Sequence, residues 1–293
     1  MFGTASRVNV WFLLEYRGRW EAKALGQSAL PEPVKERLSG AWEGIPHTRT
    51  LLIRQPHAPH REDVAFFVAV ADEVAPRLYA FSLRRAEDVL DLDLPAIAAG
   101  EARYEAFRRT EPLFLTCTNG RRDASCARYG PPVYREMARQ AGEAAWQSTH
   151  LSGHRFAATA LFLPHGLYYG RVAVAEVPAL VAAYRQGRVA LGHFRGRSCY
   201  GDVVQAAEYF LRRQTGIVEL PGFRLVEVRQ AQGQEWLVRF LGLADGRLHE
   251  IHLLVEPRAL AVYLSSRDSE PSPVPQYRWL GHRVVVGAGS PAR

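Results

Sequence analysis

The sequence predicts a mixed α+β and α/β chain: two successive units of similar element order, then a small antiparallel β region. Three observations predict it. Nearly half of the 293 residues are hydrophobic (47%) while 23% are charged, the balance of a folded globular chain. Short apolar runs of strand length alternate with amphipathic, helix-length stretches through residue 216, and beyond that point only strand-like text follows. A chain of this length also exceeds the usual size of one compact core. The divisions drawn from these patterns are 1–108, 109–215 and 216–293.

In the first unit, residues 8–16 (VNVWFLLEY) read as a strand. Residues 30–44 (LPEPVKERLSGAWEG) read as a helix, with Pro33 suited to a first helical turn. Residues 48–56, 63–72 and 77–86 follow as three strands bounded by turn-forming residues, and the unit ends near Gly100. The second unit begins with a buried-strand pattern, LFLTCTNG (113–120), that runs into the first cysteine. PPVYREMARQAG (131–142) reads as a helix opened by proline. Strands are expected over 144–151, 155–164 and 167–174, then a helix over 177–187 closed by Gly187. Strand, helix, three strands, helix is the order of thioredoxin-like folds, and the first unit has the same beginning. A divergent tandem duplication is expected from element order alone, since no residue-level repeat is visible. A further helix is expected over 202–216. The tail, 223–256, reads as alternating strands joined at Gln232-Gly233 and Asp245-Gly246. Residues 268–275 are expected as loop and 287–293 as frayed.

No apolar run approaches the roughly 20 residues a membrane helix needs, and residues 1–20 do not read as a signal peptide. The cytoplasm is the default compartment. Three cysteines do not make a disulfide framework and are better read as metal ligands or thiols. The net charge of +7 is carried almost wholly by arginine. It could steer an acidic redox partner as well as nucleic acid, and no basic run or RNA-binding signature favours the latter.

Cys117 and Cys126 stand in CTNGRRDASC, whose intervening residues favour a loop that can wrap an ion. His150 and His154 stand in HLSGH, a spacing that puts both imidazoles on one side of a helical turn or lets a glycine loop fold them together. Each pair is weak alone. Together, one helix and one strand apart in one unit, they make a four-ligand set suited to tetrahedral zinc or to a 2Fe-2S cluster with thiolates on one iron and imidazoles on the other.

The segments LFLTCTNGRRDASCARYG and WQSTHLSGHRFAATALFLPHGLYYGRV resemble the sucrase/ferredoxin-like family, as do VWFLLEYRGRWEAKAL, FRGRSCY and Gln205-Ala-Ala-Glu. The likeness covers residues 8–212. It implies a thioredoxin-like ferredoxin domain with a 2Fe-2S cluster on Cys117, Cys126, His150 and His154. Many members carry two adjacent cysteines where this chain has Ser125-Cys126, so Cys126 alone is the expected ligand there.

The expectation is therefore a soluble electron-transfer protein, with imidazoles toward solvent coupling electron uptake to proton uptake. It would be a redox carrier rather than an enzyme with its own substrate, supplied by an external donor such as a ferredoxin or flavoprotein reductase and serving an unidentified acceptor. No Walker loop, dinucleotide fingerprint or paired glycosidase carboxylates appear. The alternative is a zinc-stapled Cys2His2 structural or binding module. A thiol oxidoreductase on Cys117 and Cys126 is set aside because such enzymes place their cysteines closer together. Arg121, Arg122 and Asp123 are open to two readings, cluster partners or a solvated loop. Arg195 and Arg197 are expected at the surface, Cys199 as a structural thiol, and Trp146, Phe156, Tyr168 and Tyr169 as core aromatics. His249 and His252 are expected on opposite faces of a strand.

Overall fold

A computed structural model describes residues 1–40, 45, 47–56 and 62–285. Expectations for the end of the first helix (41–44) and for frayed residues 287–293 lie outside the described residues.

The first half runs β1 (Val10–Glu15), α1 (Glu32–Ser39), β2 (Thr48–Arg54), β3 (Val64–Val70), β4 (Arg77–Leu83) and α2 (Leu94–Ala99). The second runs β5 (Leu113–Cys117), α3 (Ala124–Ala141), β6 (Ala145–Ser148), β7 (Ala160–Leu163), β8 (Leu167–Tyr169), α4 (Val177–Arg185) and β9 (Phe194–Arg197), followed by α5 (Asp202–Thr215). Then come β10 (Phe223–Gln230), β11 (Glu235–Gly242), β12 (Leu248–Val262) and β13 (Ser272–Val285).

The pairing repeats between the halves. β1 runs parallel to β2 and antiparallel to β3, which pairs antiparallel with β4. β5 runs parallel to β6 and antiparallel to β7, which pairs antiparallel with β8. An antiparallel bridge between β2 and β6 (Ile53 opposite Ser148, Arg54 opposite Gln147) fuses the two into one sheet. Its order is β4-β3-β1-β2-β6-β5-β7-β8-β9, so reading outward from the central pair each half gives its second, first, third and fourth strand. The strands themselves are almost wholly buried, as in Val10–Glu15 and Leu113–Cys117, because helices or loops cover both faces.

Several boundaries differ from expectation. The cysteine-proximal helix starts at Ala124, seven residues before Pro131, because Asp123 caps it by accepting from Ser125 N at 2.9 Å; Pro131 and Pro132 lie inside it. β8 stops at Tyr169 rather than Val174. α2 and β9 were not expected from sequence. The expected loop 268–275 is partly strand: β13 begins at Ser272 and carries Pro273 and Pro275, tolerated because β13 is an edge strand.

β10 to β13 form a separate antiparallel sheet whose apolar face, including Phe240, Ile251 and Leu253, packs on α5 through Val204, Ala207 and Leu211. Each fully buried side chain of this size contributes about 1.5–3 kcal/mol. β12 and β13 continue past that contact as a long hairpin whose tip reaches the second half. Among the described residues, no helix is long and apolar enough to cross a membrane.

Candidate metal centre

Cys117 closes β5, opposite Ser148 at the end of β6, and is 2% exposed. Cys126 does not sit in the expected loop. It lies in the first turn of α3, 3% exposed, where the helix dipole favours a thiolate. Both sulfurs belong to one apolar cluster with Trp11, Leu51 and Trp146, which span both halves of the sheet. α3 can lie across the end of β5 because residue 130 is glycine: a Cβ there would stand 2.1 Å from the Cys117 carbonyl oxygen.

The histidine segment is a loop, not a helical turn. It leaves β6, pairs with β2 through Thr149 N donating to Leu52 O at 2.9 Å, and turns back where Ser152 and Gly153 both take left-handed backbone (φ 73°). That reversal brings the two imidazoles face to face, centroids 3.8 Å apart at 14°. Both rings are partly exposed, whereas both thiols are buried.

Cys117, Cys126 and His150 converge as one group, and His154 joins its edge through Cys126 and the stacked His150 ring. The two sulfurs are 3.5 Å apart, and Cys126 Sγ is 3.8 Å from His154 Nδ1. Donor atoms of Cys117, Cys126 and His150 lie within 4.8 Å of one another. Two sulfurs bound at about 2.3 Å to one tetrahedral metal would be roughly 3.8 Å apart, so the thiol pair is spaced for a shared ion. The thiols behave as one unit. Hydrogen bonding from Cys126, then the neighbouring His150, holds Cys117 well below the usual thiol pKa. Its bond to Cys117, burial and the Cys117 charge drive Cys126 up. A metal bound between the two sulfurs would favour the thiolate at both. Burial, then the charge of His150, lowers the pKa of His154 and favours the neutral imidazole that a metal requires.

Several groups that hold this site were not found by sequence reasoning. Arg49, on β2, donates to Ser152 Oγ at 2.8 Å and to the His150 carbonyl. Arg195, on β9, donates to Ser152 O at 3.2 Å. Asp123 is fully buried and accepts at one oxygen from Ser125 and at the other from Ser265 Oγ (2.7 Å) and Ser266 N (2.9 Å) of the hairpin tip. Burial opposes its charge, but these hydrogen bonds prevail and hold its carboxyl below the usual range. Arg267 adds a 2.7 Å bond to Arg121 O. The polar text of the cysteine loop was a visible signal; its partner at the hairpin, over 140 residues away, was not.

The expected surface placement of Arg195 and Arg197 is wrong: they are 1% and 2% exposed. Arg197 and Arg212 both pair with the buried Glu208, at 2.9 and 3.0 Å. Gln205 bonds to the carbonyls of Ala5, Arg197 and Tyr200. The FRGR and Gln205-Ala-Ala-Glu segments therefore interlock β9 and α5. Burial pushes the Cys199 thiol up to about 12. His193 pairs with Glu176 at 2.6 Å, His249 with His282 at 3.0 Å and His252 with Glu235 at 2.7 Å. Trp146, Phe156, Tyr168 and Tyr169 are buried in the core.

Compared with known proteins, residues 1–196 match a family model described as sucrase/ferredoxin-like. No curated protein and no solved structure matches the chain.

Proposed function

The chain belongs to the sucrase/ferredoxin-like family, and on that footing we propose that it is an electron-transfer protein carrying a 2Fe-2S cluster on Cys117, Cys126, His150 and His154. The observation that carries the reading is the graded donor set: two buried thiols spaced for one iron and two partly exposed, stacked imidazoles beside them. When bound, such a cluster supplies one-electron chemistry at a potential set by its ligands. The chain's own residues do the rest. Cys126 gains from the α3 dipole, Arg49 and Arg195 fix the histidine loop through its carbonyls, and the apolar cluster excludes water from the thiolate side. The exposed edges of the imidazoles are suited to exchange a proton as the electron arrives. The chain would depend on an external reductase and pass the electron to an acceptor of its own.

A second reading, zinc held by the same four residues as a structural or binding module, is favoured by one distance. The 3.8 Å between Cys126 Sγ and His154 Nδ1 is a separation expected of two donors on a single tetrahedral ion. Anaerobic purification with visible and EPR spectroscopy and metal analysis tests the two. Iron with acid-labile sulfide, visible absorption and a rhombic signal on reduction is expected; a colourless chain with one zinc would establish the second reading.

A further inference from the structure

A cavity of about 660 Å³ opens one residue beyond His154, between Arg155, Phe156 and Arg171 on one side and the β12–β13 hairpin on the other. Phe2, Phe156, Leu260, Val262 and Val274 form an apolar part of its wall, Leu260 49% exposed at the rim, while Thr4, Tyr263 and Gln276 add polar groups. Cavities of this size accommodate small molecules.

Its charge is one-signed. Among the described residues no carboxylate pairs with Arg155 or Arg171, whereas the arginines buried at the β9–α5 junction, Arg197 and Arg212, share Glu208. Arg155 Nη1 is shielded from solvent and has no hydrogen-bond partner. Both guanidiniums gather over Phe156, with Arg155 at 4.6 Å and Arg171 at 5.9 Å from the ring centre. Arg195, 1% exposed and 4.8 Å from the same ring centre, bonds among the described residues to the neutral oxygens of Thr4 and Ser152, so a third positive charge reinforces the field. Like charges so close, without a counter-ion, are costly unless an anion joins them.

We propose that this cavity binds a small organic anion, a carboxylate or phosphate on an apolar body, with its charge on Arg155 and Arg171 and its body against Phe156 and the hairpin. Two features point to that class together: the guanidinium fork selects the anion, and the apolar part of the wall favours a ligand with an apolar body over a purely inorganic one. The inference stands on the cavity and not on the metal-centre reading, because binding is measured whatever metal the chain holds.

Calorimetric titration of the full chain with octanoate tests it, beside 1-octanol (the same body uncharged) and inorganic phosphate (the charge without the body). Saturable binding of one octanoate, at least about tenfold tighter than either control, is expected. Arg171→Gln, an exposed position, should weaken octanoate about tenfold and leave 1-octanol unchanged, while Val274→Phe should abolish both by filling the cavity. If circular dichroism reveals that Val274→Phe is unfolded, Leu260→Trp at the rim replaces it. Absence of saturation, or equal octanoate affinity in wild type, Arg171→Gln and Arg155→Gln, overturns the proposal.

Discussion

Ser265, at the tip of the C-terminal hairpin, donates a 2.7 Å hydrogen bond to Asp123, the residue that caps the cysteine-bearing helix. The separate C-terminal sheet thus ends in a clasp on the candidate metal centre. Asp123 accepts from four donors and is fully buried. Its folded-state pKa is depressed, so its contribution is present above the unfolded carboxyl pKa of about 4 and is lost as pH falls toward the folded value. Asp123→Asn should cost roughly 2 kcal/mol at neutral pH and progressively less in acid. Urea unfolding at neutral and acidic pH measures this, and hydrogen exchange should rise at residues 263–268. A constant difference between the two proteins across that range would refute the assignment.

Glu208 carries the buried junction between β9 and α5, pairing with two guanidiniums that are themselves at most 2% exposed. Glu208→Gln keeps the shape and removes the charge, leaving Arg197 and Arg212 uncompensated in the core. A loss of about 3–5 kcal/mol is expected, seen as a melting temperature lower by about 10 °C. A shift within about one degree would mean that neighbouring carbonyls alone carry both charges.

For the proposed cluster, neutral imidazoles on one iron place the potential in the range of about −150 to +300 mV, against about −400 mV with four thiolates. His154→Cys should therefore lower the midpoint by 100 mV or more, to order of magnitude. In the wild type, reduction adds negative charge beside the imidazoles and raises their proton affinity, so the midpoint should fall as pH rises. A redox titration with a pH-independent midpoint near that of four-thiolate clusters would contradict mixed ligation.

What could be read from the sequence, and what could not, follows from how local each signal is. Cys117 at a strand end was legible because LFLTC follows a buried-strand pattern, whereas the histidine segment stayed open between a helical turn and a loop at Gly153, and the left-handed backbone of Ser152 and Gly153 decides for the loop. The start of α3 was misread because Pro131-Pro132 is a strong local start signal, while the Asp123 cap is an ordinary polar residue until its donors are seen. The arginines of β9 looked solvent-facing because their burial depends on Glu208 and on the loop of residues 152–153, partners that the strand does not encode. Arg49 was invisible for the same reason: it acts across the β2–β6 seam, which only the folded sheet creates.

Gly130 ties helix packing to the site. A Cβ at this position would meet the Cys117 carbonyl oxygen at 2.1 Å and the carbonyl carbon at 3.1 Å, and backbone cannot swing aside as a side chain can. Gly130→Ala must therefore lift α3 from the end of β5. Cys126 rides on that helix one turn earlier, so the 3.5 Å spacing of the sulfurs opens with it. A loss of about 1–3 kcal/mol is expected from the misfit, offset slightly by alanine's better helix propensity. The larger effect should be on metal content, since the donor pair loses its spacing while the histidine loop, held by Arg49 and Arg195, stays in place. Gly192→Ala, where an added Cβ has no neighbour within 4 Å, is the matched control and should change neither quantity. Metal per chain and urea midpoints of both variants measure this, and full metal loading in Gly130→Ala would separate the helix contact from the site.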